Sequence, residues 1–235
     1  MQTEPIEAVP AVRRPARGWA AAGVLAGVAG YAAMEVQTRI APADPAANAD
    51  AGLLVDGYVG SGLGLIAAVL ALFVIAAFAV VVFGAGLRRA LAAQSPAASL
   101  VPDVAWAGTL LVAGLCLVGS GPATEVFFAL LHAAESDPDI TASLVRMMDT
   151  LPWVWGGLAP TVAAVAYGAL RHGAAPRWLG VVSVVFTVLV GGLAMAPLQY
   201  LAGFVGSIWL VIAGVAYLAT RGARVATTRA ATMGA

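Results

Sequence analysis

Long runs of apolar residues constrain this 235-residue chain more than any other feature. A helix needs about 20 consecutive apolar residues to cross the hydrocarbon core of a bilayer. Backbone N–H and C=O groups must be paired within lipid, so such runs fold there as helices. Only 10% of the residues are charged, whereas a soluble domain carries about a quarter, so a water-soluble fold is excluded. The sequence predicts an all-α membrane protein, one bundle of six transmembrane helices within residues 18–220, at residues 18–38, 57–86, 104–133, 152–170, 178–196 and 202–220.

The placement of arginine predicts the orientation of these spans. Cytoplasmic loops of membrane proteins are enriched in basic residues, and this chain has no Lys. With six spans, only Arg39 and Arg146 fall on the side that also carries most acidic residues. Both termini are therefore expected in the cytoplasm, with a disordered tail at 1–17 and a second tail at 221–235. The arginines on that side are Arg13, Arg14, Arg17, Arg88, Arg89, Arg171, Arg177, Arg221, Arg224 and Arg229.

The first span has features of both a membrane helix and a signal peptide. A basic segment precedes it, and small residues lie near 29–33, as they would before a cleavage site. The residues Pro15, Ala16 and Arg17 stand where a twin-arginine signal usually has bulky apolar residues. We interpret the segment as an uncleaved first span that its arginines orient.

Residues 137–151 predict a short amphipathic helix on the outer face. Asp137 can cap a helix whose first residue is Pro138. We expect this helix to lie on the outer membrane surface or to cover the bundle. Its apolar residues recur at helical spacing and are Ile140, Leu144, Met147, Met148 and Leu151.

Small residues predict close contacts between the spans. Gly23 and Gly27 are four residues apart, as are Gly60 and Gly64, and this spacing lets helix backbones approach each other. The pattern indicates a tight bundle and also suits a homo-oligomer. The one thiol, Cys116, lies in an apolar run and is expected to be buried and inert.

The stretch AYGALRHGAAPRWLGVVSVV, residues 166–185, joins two spans through a short Gly/Pro loop. It resembles a family of six-span bacterial membrane proteins of unknown function, common in high-GC Gram-positive organisms. The residues that carry the resemblance are Pro176, Arg177, Leu179 and Gly180. The resemblance implies a six-span fold and a membrane location, but no activity and no catalytic residues. A chain rich in Ala, Gly, Val, Arg and Pro also fits a GC-rich genome.

Common motifs for nucleotide binding, hydrolysis and metal binding are absent from the sequence. Phosphate-binding loops, HExxH, GxSxG and Cys/His metal spacings do not occur, so no cofactor and no metal are expected. A net charge of zero gives no basic surface for nucleic acid. Among the charged residues near span ends, Glu35 is expected to pair with Arg39, and Asp56 is expected to cap the second span. Asp103 is expected to interact favourably with the helix dipole at the start of the third span.

Glu125 and His132 are the candidate binding residues, because ionisable groups within a span are functional candidates. They are seven residues apart on one helical face, and a rise of about 10.5 Å excludes direct contact in a straight helix. A polar strip of this kind suits proton relay or cation binding. The segment 119–122 contains Pro122 and predicts a helix break that would draw Glu125 inward. Without that break, both side chains would be solvated at the outer interface.

Three functions remain open from the sequence. The first, favoured by the missing catalytic motifs, is a non-enzymatic accessory, sensor or assembly protein that contacts another membrane protein or a second copy. The second is a small transporter or lipophile-binding protein with Glu125 and His132 lining an outward-facing cavity. The third is a membrane-embedded enzyme on a lipophilic substrate, with Glu125 as general acid. All three are expected in the plasma membrane, with membrane lipids as partners.

Overall fold

The computed structural model describes residues 18–40, 42 and 45–233, with side chains as far as residue 219 except that of residue 45. The tail predicted at 1–17 lies outside the described residues, and only the backbone of 221–233 is described in the second tail. The helices are α1 (Gly18–Ile40), α2 (Ala51–Ser61), α3 (Leu63–Ala92), α4 (Val101–Leu131), α5 (Pro138–Met148), α6 (Ala159–His172), α7 (Arg177–Met195) and α8 (Tyr200–Met233), with 3₁₀ segments at Pro45–Ala49 and Leu151–Leu158.

Within the described residues, six helical segments are long and apolar enough to cross a membrane. This confirms the prediction of an all-helical protein with six spans. The fourth segment is composite, because it joins α5, the 3₁₀ segment Leu151–Leu158 and α6. The six segments are Gly18–Ile40, Leu63–Ala92, Val101–Leu131, Pro138–His172, Arg177–Met195 and Tyr200–Ala219.

The spans pack in a closed ring. Along the ring, α1 contacts α3, α3 contacts α4, α4 contacts α6, α6 contacts α7, α7 contacts α8, and α8 returns to α1. The 3₁₀ segment Leu151–Leu158 contacts four of these helices, namely α4, α6, α7 and α8. Its Trp155 is fully buried. This segment therefore links four of the helices, and its Trp155 packs against glycines of α1 and α8.

Glycine packing follows the prediction in one pair and not in the other. An added Cβ at Gly23 would collide with the ring of Phe83, and one at Gly27 would meet the backbone of α8 at Ser207. A Cβ added at Gly60 or at Gly64 would have no described atom within 4 Å outside its own helix backbone and chain neighbours. The prediction of close packing is confirmed for the first pair and wrong for the second, because the chain changes direction between Gly60 and Gly64.

That change of direction occurs at Gly62, which separates α2 from α3 and was not predicted. Gly62 has φ 87° and ψ 135°, a conformation that side-chain-bearing residues rarely adopt. The span predicted at 57–86 therefore begins at Leu63. Asp56 lies inside α2 and does not cap the second span; Asp50 caps α2 by accepting a hydrogen bond from the N–H of Leu53 at 2.9 Å.

Gly62→Ala is expected to lower the free energy of unfolding by about 1 to 3 kcal/mol, because alanine must either adopt a strained backbone or straighten the turn. Thermal unfolding in detergent micelles measures the change. Gly64→Ala is the matched control, because Gly64 is helical and its added methyl group meets no described atom. Equal unfolding temperatures for the two variants would show that the turn at Gly62 does not constrain the fold.

The break predicted at 119–122 is absent, since α4 runs without interruption through Pro122. Pro122 removes one backbone N–H, but the helix continues for nine residues beyond it. The polar groups of the segment bond back to the helix itself: Ser120 Oγ donates to the carbonyl of Leu117 at 2.6 Å, and Thr124 Oγ1 to that of Ser120 at 2.9 Å.

The short helix after Asp137 is confirmed, with the cap that the sequence predicts. Asp137 accepts hydrogen bonds from the N–H groups of Asp139 and Ile140 at 2.8 and 3.2 Å. The predicted apolar stripe is partly wrong, because Ile140 and Met147 are 63% and 59% exposed. The helix packs against α2 and α4 with a different face, since apolar residues occupy two faces and their spacing alone cannot choose between them. The buried residues are Thr141, Ala142, Val145 and Met148.

Candidate functional site: a polar cluster at Gln37, Tyr58 and Asp149

The two site residues that the sequence singles out lie on the surface of the bundle. Glu125 is exposed on α4, where its neighbours Ala123 and Val126 take the buried positions. His132 ends the same helix, is also exposed, and has its Nδ1 atom 3.1 Å from the carbonyl oxygen of Phe128. Neither side chain reaches the cluster described below.

Three further sequence-based expectations concern charged residues and the thiol. Glu35 and Arg39 form the expected ion pair at 2.9 Å. Asp103 lies in the first turn of α4, as expected, and also pairs with Arg88 at 2.8 Å. Cys116 is free and buried, as expected.

A polar cluster instead joins three distant parts of the chain. Gln37 lies near the end of α1, Tyr58 lies in α2, and Asp149 directly follows α5. The hydroxyl of Tyr58 donates to Asp149 Oδ1 at 2.8 Å, and Gln37 Nε2 approaches the same oxygen at 3.5 Å. Sequence separations of 91 and 112 residues make this cluster a product of tertiary packing.

Tyr58 serves this cluster as a hydrogen-bond donor. Its side chain is fully buried, and burial together with the nearby charge of Asp149 raises the pKa of Tyr58 far above its ordinary value. The hydroxyl therefore keeps its proton at any physiological pH. Asp149 accepts this hydrogen bond at Oδ1, one of its two carboxylate oxygens.

Gln37 uses its amide nitrogen to complete the end of α5. The last carbonyls of a helix have no partner within the helix, and Gln37 Nε2 donates to one of them, the carbonyl of Met148, at 3.1 Å. Since a carbonyl only accepts, this bond fixes which end of the amide carries the nitrogen. The other end, Gln37 Oε1, is buried without a hydrogen-bond partner among the described residues, and the side chain is only 6% exposed. A buried acceptor left in this way is costly.

Asp149 has no cationic partner among the side chains that the structure describes. The nearby arginines are engaged elsewhere: Arg39 pairs with Glu35, and Arg146 donates to the backbone carbonyl of Asn48 at 3.1 Å. Both hydrogen bonds that Asp149 accepts from described side chains reach Oδ1, so the charge of this half-buried carboxylate is only partly compensated.

Gln37 and Asp149 line one cavity of about 300 Å³ between α1, the 3₁₀ segments and the start of α8. This volume is at the lower end of the range of small-molecule sites. Its wall combines four apolar or aromatic side chains with four polar ones, which is the usual composition of such sites. The lining residues are Met34, Gln37, Thr38, Asn48, Asp149, Pro152, Tyr200 and Phe204.

The aromatic side of the cavity is held by ring contacts. Tyr200 packs edge-on against Trp153 with centroids 6.1 Å apart, and Phe204 packs edge-on against Tyr31 at 5.3 Å. In the described part of the chain, no group of three His, Cys, Asp or Glu residues is close enough to hold a metal ion.

Comparison with family models, with curated proteins and with solved structures found no match to this chain. The assignment of a site therefore depends on the residues themselves. One signal in the sequence could have pointed to it, namely Gln37, a polar amide inside the first apolar span, since a lone amide in a span usually needs a partner on another helix. Asp149 gave no such signal, because it appears among the other acids of its connecting segment.

Proposed function

We propose that this protein is a non-enzymatic, multi-pass membrane protein that binds a small ligand in the cavity at Gln37 and Asp149. One observation carries the proposal: the unpartnered Oε1 atom of Gln37 and the partly compensated carboxylate of Asp149 belong to side chains that line the same cavity. Proteins rarely leave such groups buried without a partner, and a bound molecule would supply one. Such a protein would act as a sensor or accessory that responds to its ligand.

Binding is favoured over catalysis by the composition of the cavity. Its lining contains one carboxylate, and neither a histidine nor a second acid accompanies it. General acid–base chemistry commonly uses two such groups in reach of one substrate. The earlier alternatives that depend on Glu125 as a general acid, or on Glu125 and His132 as a transport site, have less support, because both side chains are exposed.

The membrane orientation forms part of the same proposal. The distribution of arginine favours cytoplasmic termini in the plasma membrane of a bacterium, and the resemblance around Pro176–Gly180 favours the six-span family of high-GC Gram-positive organisms. With this orientation, α1 would end at the outer face. Gln37, the cavity and α5 would then lie on the outer side, where a ligand from outside the cell could enter.

The test is to purify the protein in a mild detergent and to identify retained small molecules by mass spectrometry. We expect the wild type and Glu125→Gln to retain one compound that Asp149→Asn loses by about tenfold or more, because a charge-assisted hydrogen bond is removed. Asn keeps the size of the side chain and can still accept from Tyr58. Thermal unfolding of each variant verifies that the fold is intact. A folded Asp149→Asn variant that retains the same compounds as the wild type would contradict the proposal.

A further inference from the structure

We propose that the ligand of this cavity is a small amphiphile that carries a protonated amine, an inference that rests on the proposed binding function. The lining of the cavity combines hydrogen-bond acceptors and a carboxylate with aromatic and aliphatic side chains. An alkylammonium ion has the complementary arrangement, with a cationic donor group at one end and an apolar body at the other.

Gln37 and Thr38 have hydrogen-bond acceptors but no free donors. Gln37 uses its amide N–H groups on Met148 and Asp149, and Thr38 uses its hydroxyl proton on the carbonyl of Glu35 at 2.8 Å. The acceptors that remain on these side chains and on Asp149 are the Oε1 atom of Gln37, the hydroxyl oxygen of Thr38 and the second oxygen of the Asp149 carboxylate, while Asn48 and Tyr200 add an amide and a hydroxyl to the lining. An ammonium group has three N–H donors and no acceptor, so it matches this set.

The charge of the lining selects a cation. Asp149 is the one acidic side chain among the lining residues, and no Lys, Arg or His accompanies it there. Arg146 lies near the rim, where it is exposed and bonded to the backbone of Asn48. An anionic ligand would meet a carboxylate whose charge is only partly compensated, in a partly desolvated place, which is unfavourable. A cation gains the charge-assisted hydrogen bond instead.

An organic cation fits better than a metal ion. Calcium takes six to eight oxygen ligands, usually from several carboxylates, and magnesium requires a near-octahedral set. The cavity supplies one carboxylate, and its other polar residues Gln37, Thr38 and Asn48 carry no charge. The lining includes the rings of Tyr200 and Phe204, aromatic side chains of a type that can attract an organic cation, and Met34 and Pro152 can contact an alkyl chain. A volume of about 300 Å³ restricts that chain to a short one.

The test measures the thermal stability and binding of the protein in phosphatidylcholine nanodiscs, whose headgroups carry a quaternary nitrogen without N–H donors. The probes are hexylammonium, hexanol and hexanoate, which share one alkyl chain and differ in the head. We expect hexylammonium to raise the unfolding temperature saturably, while hexanol and hexanoate have little effect. Asp149→Asn should weaken the binding of hexylammonium by about tenfold or more. Asp139→Asn is the matched control, because it removes the same charge from an exposed position on α5 and should bind as the wild type does.

A second arm distinguishes a free amine from the amine of a lipid headgroup. In nanodiscs of phosphatidylethanolamine, a headgroup occupant would stabilise the wild type over Asp149→Asn without any probe and would abolish the effect of hexylammonium. A free amine would give the same hexylammonium shift in both lipids. Either result supports an ammonium ligand. Equal effects of hexylammonium and hexanol, or full binding by Asp149→Asn, would overturn it.

If the purified protein still retains a compound that depends on Asp149 but has no amine, only this inference fails; if it retains none, the binding function fails as well.

Discussion

Trp155→Ala is expected to lower the free energy of unfolding by about 3 to 5 kcal/mol. Trp155 is fully buried, and its ring fills the space that glycines leave in α1 and α8. A Cβ added at Gly30 would collide with the ring, and a Cβ added at Gly203 or Gly206 would lie 3.4 Å from it. The indole N–H has no hydrogen-bond partner in the described residues, so the loss is one of packing. Within lipid, such packing contributes much of the association between helices.

Chemical unfolding in mixed micelles measures this loss, and Trp153→Ala is its matched control. Trp153 is the same residue type two positions away, but it is 46% exposed and its ring contacts Tyr200 alone among the described rings. We expect its removal to cost about 1 kcal/mol. If the two variants have the same free energy of unfolding, the packing of Trp155 does not stabilise the helix bundle more than that of Trp153.

Gly27→Val is expected to destabilise the protein by about 3 kcal/mol, because it forces α1 away from α8. An added Cβ at Gly27 would lie 2.5 Å from the carbonyl oxygen of Ser207 and 2.9 Å from the backbone nitrogen of Val211. Backbone atoms cannot rotate aside as a side chain can, so the helices must separate. Gly214 faces α1 in the reciprocal way, with the carbonyl oxygen of Ala20 at 2.8 Å.

The control for this variant is Gly114→Val on α4, where no described atom lies within 4 Å of an added Cβ. It introduces the same side chain into another span and should unfold close to the wild type. Urea- or detergent-induced unfolding compares the two free energies. A Gly27→Val protein as stable as Gly114→Val would mean that the close approach of α1 and α8 is not required.

The spans could be read from the sequence because one physical rule, the length of an apolar helix in lipid, determines them. The same rule says nothing about a single backbone conformation, so the turn at Gly62 was missed. The rule also does not distinguish one apolar face of a helix from another. The sequence therefore predicts a buried stripe through Ile140 and Met147, whereas the structure buries the face that carries Val145. The sequence predicts a break at Pro122, but a helix within a bundle can lose one hydrogen bond and continue.

The site was harder to predict than the fold because it depends on pairs of residues far apart in sequence. Glu125 drew attention as a charge in an apolar run, but the helix turns it outward and buries Ala123 and Val126 instead. Gln37 and Asp149 are separated by 112 residues, and only the packing of α1 beside the end of α5 brings them together. No local pattern in the sequence contains that information.

The most direct test of a ligand site at Gln37 and Asp149 is an experimental structure of the protein purified in a mild detergent with its native contents. It should contain density for a small molecule in the cavity, with a donor atom within about 3 Å of Asp149 and of Gln37 Oε1. A cavity filled by the chain's own side chains, or an Asp149 carboxylate paired with an arginine of the same chain, would contradict a binding site there.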